Sequence, residues 1–259
     1  MSKTAHRFEH NRSSGKSTLV GYFPIGYPTL DESIQAAIEM CRNGVDILEL
    51  GVPYSDPVMD GLVIQEATGQ ALENGFKLKQ TFDAVSAVTS AVDTPVLVMT
   101  YWNPVMQYGI EKFASELKAA GGAGLITPDL IPDEAAEWLE VSDRLELDRV
   151  FLATPTSSKS RMQRACELSR GFVYSVSTMG ITGTRDSVDD LAKQVVSAVR
   201  ETATEQNTAV GIGISTAQQV KDVNEYADGA IVGSAFVRAY QNGGLSELVR
   251  TVKDLNPNQ

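Results

Sequence analysis

The sequence predicts an α/β fold: a single-domain (β/α)8 TIM barrel with an extra N-terminal helix and an additional helix after the second strand. Three observations predict it. Short apolar runs alternate with amphipathic stretches, which is the pattern of β/α units around a parallel sheet. Eight such runs occur, each bounded by Gly, Pro, Asp or Ser. The chain has 259 residues, fewer than the roughly 300 at which single cores usually divide, and eight units in that length match a barrel. Strand runs alone do not reveal closure, so a doubly wound sheet is the architectural alternative.

In chain order, residues 1–17 form a polar leader or helix and residues 18–259 the barrel. The strands are expected at Leu19–Tyr22, Ile47–Leu50, Val96–Thr100, Gly124–Thr127, Val150–Ala153, Phe172–Ser175, Ala209–Ile212 and Ala230–Val232. Between the first two, Thr29 and Glu32 have the spacing of a capping box. Ile34, Ala37, Ile38 and Cys41 then recur at helical spacing, and Gly44 supplies the stop. The interval from Gly51 to Pro95 has room for two helices, about Leu62–Glu73 and Leu78–Ala91. Pro132 suits a first helical turn, and Val188, Leu191, Ala192, Val195 and Val199 repeat the helical stripe after a long polar run, Ser177–Asp190. Extra length after strands 2 and 6 marks the places where function is expected.

Composition removes several classes of function. Lys plus Arg number 22 against 33 Asp plus Glu, a net charge of −11 that repels polyphosphate backbones and anionic membranes. The first seventeen residues hold no apolar targeting segment, and no run approaches a membrane span, so a cytoplasmic protein is expected. Cys41 and Cys166 are the two cysteines, too few for a disulfide scaffold or a four-cysteine zinc site. The only histidines, His6 and His10, lie in the leader on what reads as a solvated helix. No metal site is expected, and acid–base work falls to carboxylates, Tyr or Lys.

In a barrel the C-terminal strand ends and the loops after them face the active site. Strand 2 reads Ile47-Leu48-Glu49-Leu50-Gly51, and alternation sends Ile47 and Glu49 to the face opposite Leu48 and Leu50. Glu49 is thereby expected to point into the barrel mouth, where apolar surroundings raise a carboxyl pKa toward neutrality and suit it to proton transfer. The next loop carries Asp56 and Asp60. Each also has a plain reading, Asp56 as a turn before Pro57 and Asp60 as a helix cap before Gly61. Phosphate sites in such barrels use the loops after strands 7 and 8, here Gly211-Ile212-Gly213-Ile214-Ser215 and Gly233-Ser234. Gly15-Lys16-Ser17 is not a nucleotide loop, because a strand follows it instead of preceding it.

The run Leu48-Glu49-Leu50-Gly51-Val52-Pro53-Tyr54-Ser55-Asp56-Pro57, followed by Asp60-Gly61 and Ile64-Gln65, resembles the family of tryptophan synthase α subunits. The resemblance continues through Met99-Thr100-Tyr101-Trp102-Asn103-Pro104, Pro128-Asp129-Leu130, Pro155-Thr156-Ser157, Tyr174-Ser175, Gly180-Ile181-Thr182-Gly183 and the two phosphate loops. It implies cleavage of indole-3-glycerol phosphate to indole and glyceraldehyde 3-phosphate by a lyase that needs no cofactor of its own. It also implies a pyridoxal-phosphate β subunit as partner in an αββα heterotetramer that passes indole through a tunnel to tryptophan synthesis. By match to the family, Glu49, Asp60 and Tyr174 are the catalytic residues. Gly183, Gly213, Gly233 and Ser234 hold the phosphate. Tyr22, Met99, Tyr101, Thr182 and Ile212 surround the indole or glycerol part, and Asp56 belongs to a loop that communicates with the partner. Leu62, Met59, Tyr22 and Ile212 depart from the residues common in the family, and none is a reacting group. A stand-alone lyase releasing free indole, and a barrel acting mainly as an activator of the β subunit, are the alternatives.

Overall fold

The computed structural model describes residues 2–176, 185–211 and 213–258. Its described strands are β1 (Thr18–Pro24), β2 (Ile47–Gly51), β3 (Val96–Met99), β4 (Gly124–Ile126), β5 (Asp148–Val150), β6 (Leu152–Ala153), β7 (Val173–Val176), β8 (Thr208–Gly211) and β9 (Gly229–Val232). They form one parallel sheet in the order β5-β4-β3-β2-β1-β9-β8-β7-β6. Every neighbour in that order is also a neighbour in sequence, apart from the β1–β9 pair that joins the first strand to the last. A doubly wound sheet would instead reverse its order at a switch point. The sheet's two outer members, β5 and β6, are separated only by Phe151, whose carbonyl accepts the Tyr174 N–H at 3.0 Å. The fifth expected strand is therefore present, divided into one piece that pairs with β4 and one that pairs with β7.

Alternation along the strands makes two cores. Val20, Ile47, Leu97, Ile126, Val150, Phe172, Ala209 and Ile231 pack together inside the barrel. Leu19, Leu48, Leu50, Val96, Val98 and Leu125 face outward against the helices. The register places Val20 between Ile47 and Ile231, so inward side chains of adjacent strands meet in layers.

The helices follow the strands: α2 (Leu30–Arg42) after β1, α3 (Leu62–Glu73) and α4 (Gln80–Ala91) after β2, and α5 (Trp102–Tyr108) and α6 (Ile110–Ala119) after β3. A 3-10 turn at Pro132–Glu134 leads into α7 (Ala136–Arg144), and α8 (Lys159–Leu168), α9 (Arg185–Thr202), α10 (Ala217–Tyr226) and α11 (Ser234–Leu255) complete the ring. The Thr29 hydroxyl caps α2 by accepting the Glu32 N–H at 3.3 Å, but the Glu32 carboxylate returns to the Thr29 hydroxyl and not to its N–H. The full capping box lies elsewhere, at Thr216 and Gln219 before α10.

The leader requires a correction. It forms α1 (Lys3–Ser13) with His6 and His10 exposed, yet its other side, Thr4, Phe8 and Asn11, is buried. Phe8 closes the bottom of the barrel, edge-on to Phe172 at 5.6 Å between ring centres. A Cβ at Gly229 would stand only 2.8 Å from the Phe8 ring, so that glycine makes room for the plug. Two of the three buried residues are polar, which hides the stripe from a hydrophobicity reading.

Candidate active site

Glu49 sits at the middle of β2, beside Tyr22 of β1 and Leu97 of β3 in the ladder. It faces inward as alternation predicts and is 1% exposed. Its Oε1 has no hydrogen-bond partner among the described residues. Burial pushes its pKa up to about 8, because a charged carboxylate there loses its hydration and gains no compensating donor from the described residues.

Asp60 lies in the loop after β2, half-buried. Burial raises its pKa to about 6, an effect partly offset by the Tyr101 hydroxyl. Its main chain is held on both sides: the Asp60 N–H donates to the Pro57 carbonyl at 3.0 Å, and the Asp60 carbonyl accepts the Gln65 side-chain amide at 2.8 Å. The Tyr101 hydroxyl accepts the neighbouring Met59 N–H at 2.9 Å, and the Tyr101 ring stacks on Tyr54. Gly61 is the N-cap of α3, with no side-chain cap bond. The plain reading of Asp60 as a helix cap therefore fails. Asp56 is exposed, accepts the Ser55 hydroxyl at 2.6 Å and takes the Val58 N–H on its carbonyl, as a tight turn does.

Tyr22 and Tyr174 approach from opposite arcs of the barrel, on β1 and β7. Both phenols have pKa values raised by burial and then by the two carboxylates, Asp60 before Glu49 for Tyr22 and Glu49 before Asp60 for Tyr174. Each hydroxyl lies where the side chain of a strand-end residue would be. A Cβ at Gly211 would stand 2.5 Å from the Tyr174 hydroxyl, and one at Gly51 would overlap the Tyr22 hydroxyl and ring. Met99, half-buried at the end of β3, completes this layer.

Gly233 is the N-cap of α11 and Ser234 its first residue, so free N–H groups and a hydroxyl face the mouth together. Ser234 Oγ comes within 3.9 Å of the Cβ position at Gly61, which sets this helix start beside the Asp60 loop. Gly213 has φ of +72° with open space where a side chain would project. The structure thus gathers Glu49, Asp60, Tyr174, Tyr22, Met99, Tyr101, Gly213, Gly233 and Ser234 at one end of the barrel. Thr182, Gly183 and Ile212 lie outside the described residues. Sequence reasoning assigned no role to Gln65, although an amide one turn into the helix after a functional loop is suited to holding that loop's carbonyls.

Comparison with known proteins agrees with this barrel. The family profile described as "Tryptophan synthase alpha chain" matches residues 8–256. The tryptophan synthase alpha chain of Leifsonia xyli subsp. xyli is 55% identical over 98% of this chain and 97% of its own length. Among solved structures, Mycobacterium tuberculosis tryptophan synthase superposes with a TM-score of 0.93 at 44% identity, covering 98% of this chain and 97% of that one. A chain of the Pyrococcus furiosus tryptophan synthase complex does so at 0.83 and 30% identity, covering 92% and 97%. The full-length matches and the barrel they share leave one assignment: this chain belongs to the tryptophan synthase alpha chain family.

Proposed function

We propose that this chain cleaves indole-3-glycerol phosphate to indole and glyceraldehyde 3-phosphate, with Glu49 and Asp60 as its two working carboxylates. The observation that carries the assignment of roles is their different proton affinity at one barrel mouth, about 8 for Glu49 and about 6 for Asp60. Near neutral pH one holds its proton and the other is ionised, the division of labour that paired carboxylates need. Glu49 delivers its proton to C3 of the indole ring. Positive charge then develops on the ring nitrogen, where the Asp60 carboxylate stabilises it. The Glu49 carboxylate next removes the proton from the glycerol hydroxyl as the bond to C3 breaks, leaving indole and an aldehyde. Glu49 regains the proton it gave, so no water, metal or electron acceptor enters the balance.

Tyr174 supports Glu49 through its buried hydroxyl, Ser234 with Gly213 and Gly233 receives the phosphate, and Tyr22, Met99 and Tyr101 enclose the remainder. Thr182, Gly183 and Ile212 belong to the same set by family match. The chain requires no cofactor of its own, and pyridoxal phosphate belongs to the β-subunit partner.

A docking face for that partner is supported by the exposed apolar residues Val58 (81%), Leu62 (62%) and Met106 (50%), with Ile131, which follow β2, β3 and β4 at the mouth end. Assembly with the β subunit as a heterotetramer puts that partner where indole leaves. No helix among the described residues is long and apolar enough to cross a membrane; the cytoplasm is the location we assign to this biosynthetic role. The experiment is indole release by the purified chain with and without a tryptophan synthase β subunit, together with the size of the mixture. Weak activity that rises in a larger complex supports this function, and strong activity indifferent to the partner favours a stand-alone lyase. Absence of indole in both conditions overturns the reading in favour of an activating barrel.

A further inference from the structure

The inward residues of β2 run Ile47, Glu49, Gly51 from the closed end toward the mouth, so position 51 is the layer directly above the Glu49 carboxyl. That layer has no side chain of its own. Tyr22, paired with Glu49 across the β1–β2 ladder, leans along its strand until its hydroxyl, Cζ and Cε2 fill the volume that a residue-51 side chain would take. On its other flank the ring rests near Gly233, which directly follows β9, where a Cβ would lie 3.4 Å from Tyr22 Cβ and Cδ1. Gly51 thus makes the bed for one aromatic ring, which rests beside Gly233 at ordinary contact distance and is itself buried. Below it, Glu49 keeps one oxygen free of any described partner.

We propose that Tyr22 is a positioning residue for the reaction: its ring, laid into the gap above Gly51, is the cover that keeps water from the Glu49 carboxyl and so determines which form of that carboxyl meets substrate. This is distinct from lining the substrate pocket, because it acts before substrate arrives.

The groups around Glu49 fit that role. The ionisable ones facing it are the phenols of Tyr22 on β1 and Tyr174 on β7, with Asp60 from the following loop and Tyr101 beyond it. Both Tyr22 and Tyr174 stay neutral, since burial and the nearby carboxylates push their pKa values well up. Ile47, Leu97 and Met99 add apolar surface on the same inner face. Among the described residues around it no cation is present to lower the carboxyl's proton affinity, and burial, the exclusion of water, is the influence seen to raise it. An aromatic ring suits this use, because a rigid planar group blocks a layer at little entropic cost.

The proposal rests on the acid–base role of Glu49, and its test is made without substrate so that the two stand or fall separately. The full-length chain is labelled with glutamate carrying 13C in the side-chain carboxyl, and the Glu49 signal is assigned as the one lost in Glu49→Gln. Wild type and Tyr22→Phe are expected to titrate near 8, because both keep the ring. In Tyr22→Ala the midpoint falls toward the ordinary glutamate range, a loss of proton affinity of about tenfold or more. Tyr22→Leu, which keeps an apolar contact but does not reach Gly51, is the second variant and falls in the same direction if the alanine form does not fold. A folded alanine or leucine variant titrating with wild type overturns the proposal, as does a wild-type Glu49 that titrates in the ordinary range. Turnover retained in Glu49→Gln would overturn the acid–base role instead, leaving the titration result intact.

Discussion

Two buried carboxyls occupy opposite ends of the same barrel, and their surroundings differ in kind. Glu49 near the mouth and Asp148 at the closed end are each 1% exposed, and each has one oxygen without a described partner. Burial raises both pKa values. At Asp148 the other oxygen accepts the Thr4 hydroxyl at 2.5 Å and the Thr4 N–H at 3.2 Å, and the Arg170 charge acts in the same lowering direction. At Glu49 no such compensation is present among the described residues. A carboxyl that is buried and bonded ties two elements together, whereas one that is buried and left bare has its energy raised for chemistry.

Four experiments test this contrast. The largest effect is expected for Glu49→Gln, which removes a transferable proton at constant size. Indole release should fall by about 10²- to 10⁴-fold, while the melting temperature does not drop. Next, Asp60→Asn should lower kcat by about 10²-fold with a smaller change in KM, since its charge is needed where positive charge develops; steady-state kinetics on indole-3-glycerol phosphate would show an unaltered kcat if the role is wrong.

The third test uses pH. The folded-state pKa of Glu49 is raised to about 8, against about 4.3 for an unfolded chain. The folded protein therefore holds a proton that the unfolded chain has released, and stability from this group is complete below about 4.3 and lost progressively as pH rises toward the folded value. Denaturant unfolding at a series of pH values should find Glu49→Gln gaining on wild type through that window and keeping a constant lead above it. A gap that does not change with pH would contradict the buried, neutral carboxyl. The smallest effect belongs to the other end: Thr4→Val should cost about 1–3 kcal/mol of stability, measured by urea unfolding, with turnover per folded molecule unchanged. A loss of activity there would mean that the two ends are not independent.

What was legible in the sequence follows from which interactions are local. Helix α3 and the inward direction of Glu49 rest on spacing within a few residues, and both are found where periodicity puts them. Closure of the sheet depends on register between distant strands, visible only once β1 meets β9 and Phe151 links β5 to β6. The tyrosine beds were hidden for the same reason. Gly51 reads as the end of strand 2 and Gly211 as part of a phosphate loop, and their use as room for an aromatic ring appears only when Tyr22 and Tyr174 of neighbouring strands lean into the vacated volume. The plug was missed because Thr4 and Asn11 look solvated until Asp148 and Thr18 are found beneath them. Gln65 lay within a recognised run, yet its hold on the Asp60 carbonyl is a matter of geometry that spacing does not state.

The plug also bears on the order of assembly. Thr4 binds a residue 144 positions later, and Arg12 binds Asp228, 216 positions later. Helix α1 is thus made long before its seat exists, and it has no barrel floor to close until β5, β7 and β9 have come together. Contacts of such long sequence separation form late, after the entropy of closing the intervening chain has been overcome. Helix α1 is in this sense the latch of the barrel: its docking reports that the last strands have found their places, and a chain in which it is still loose has an open floor beneath Phe172.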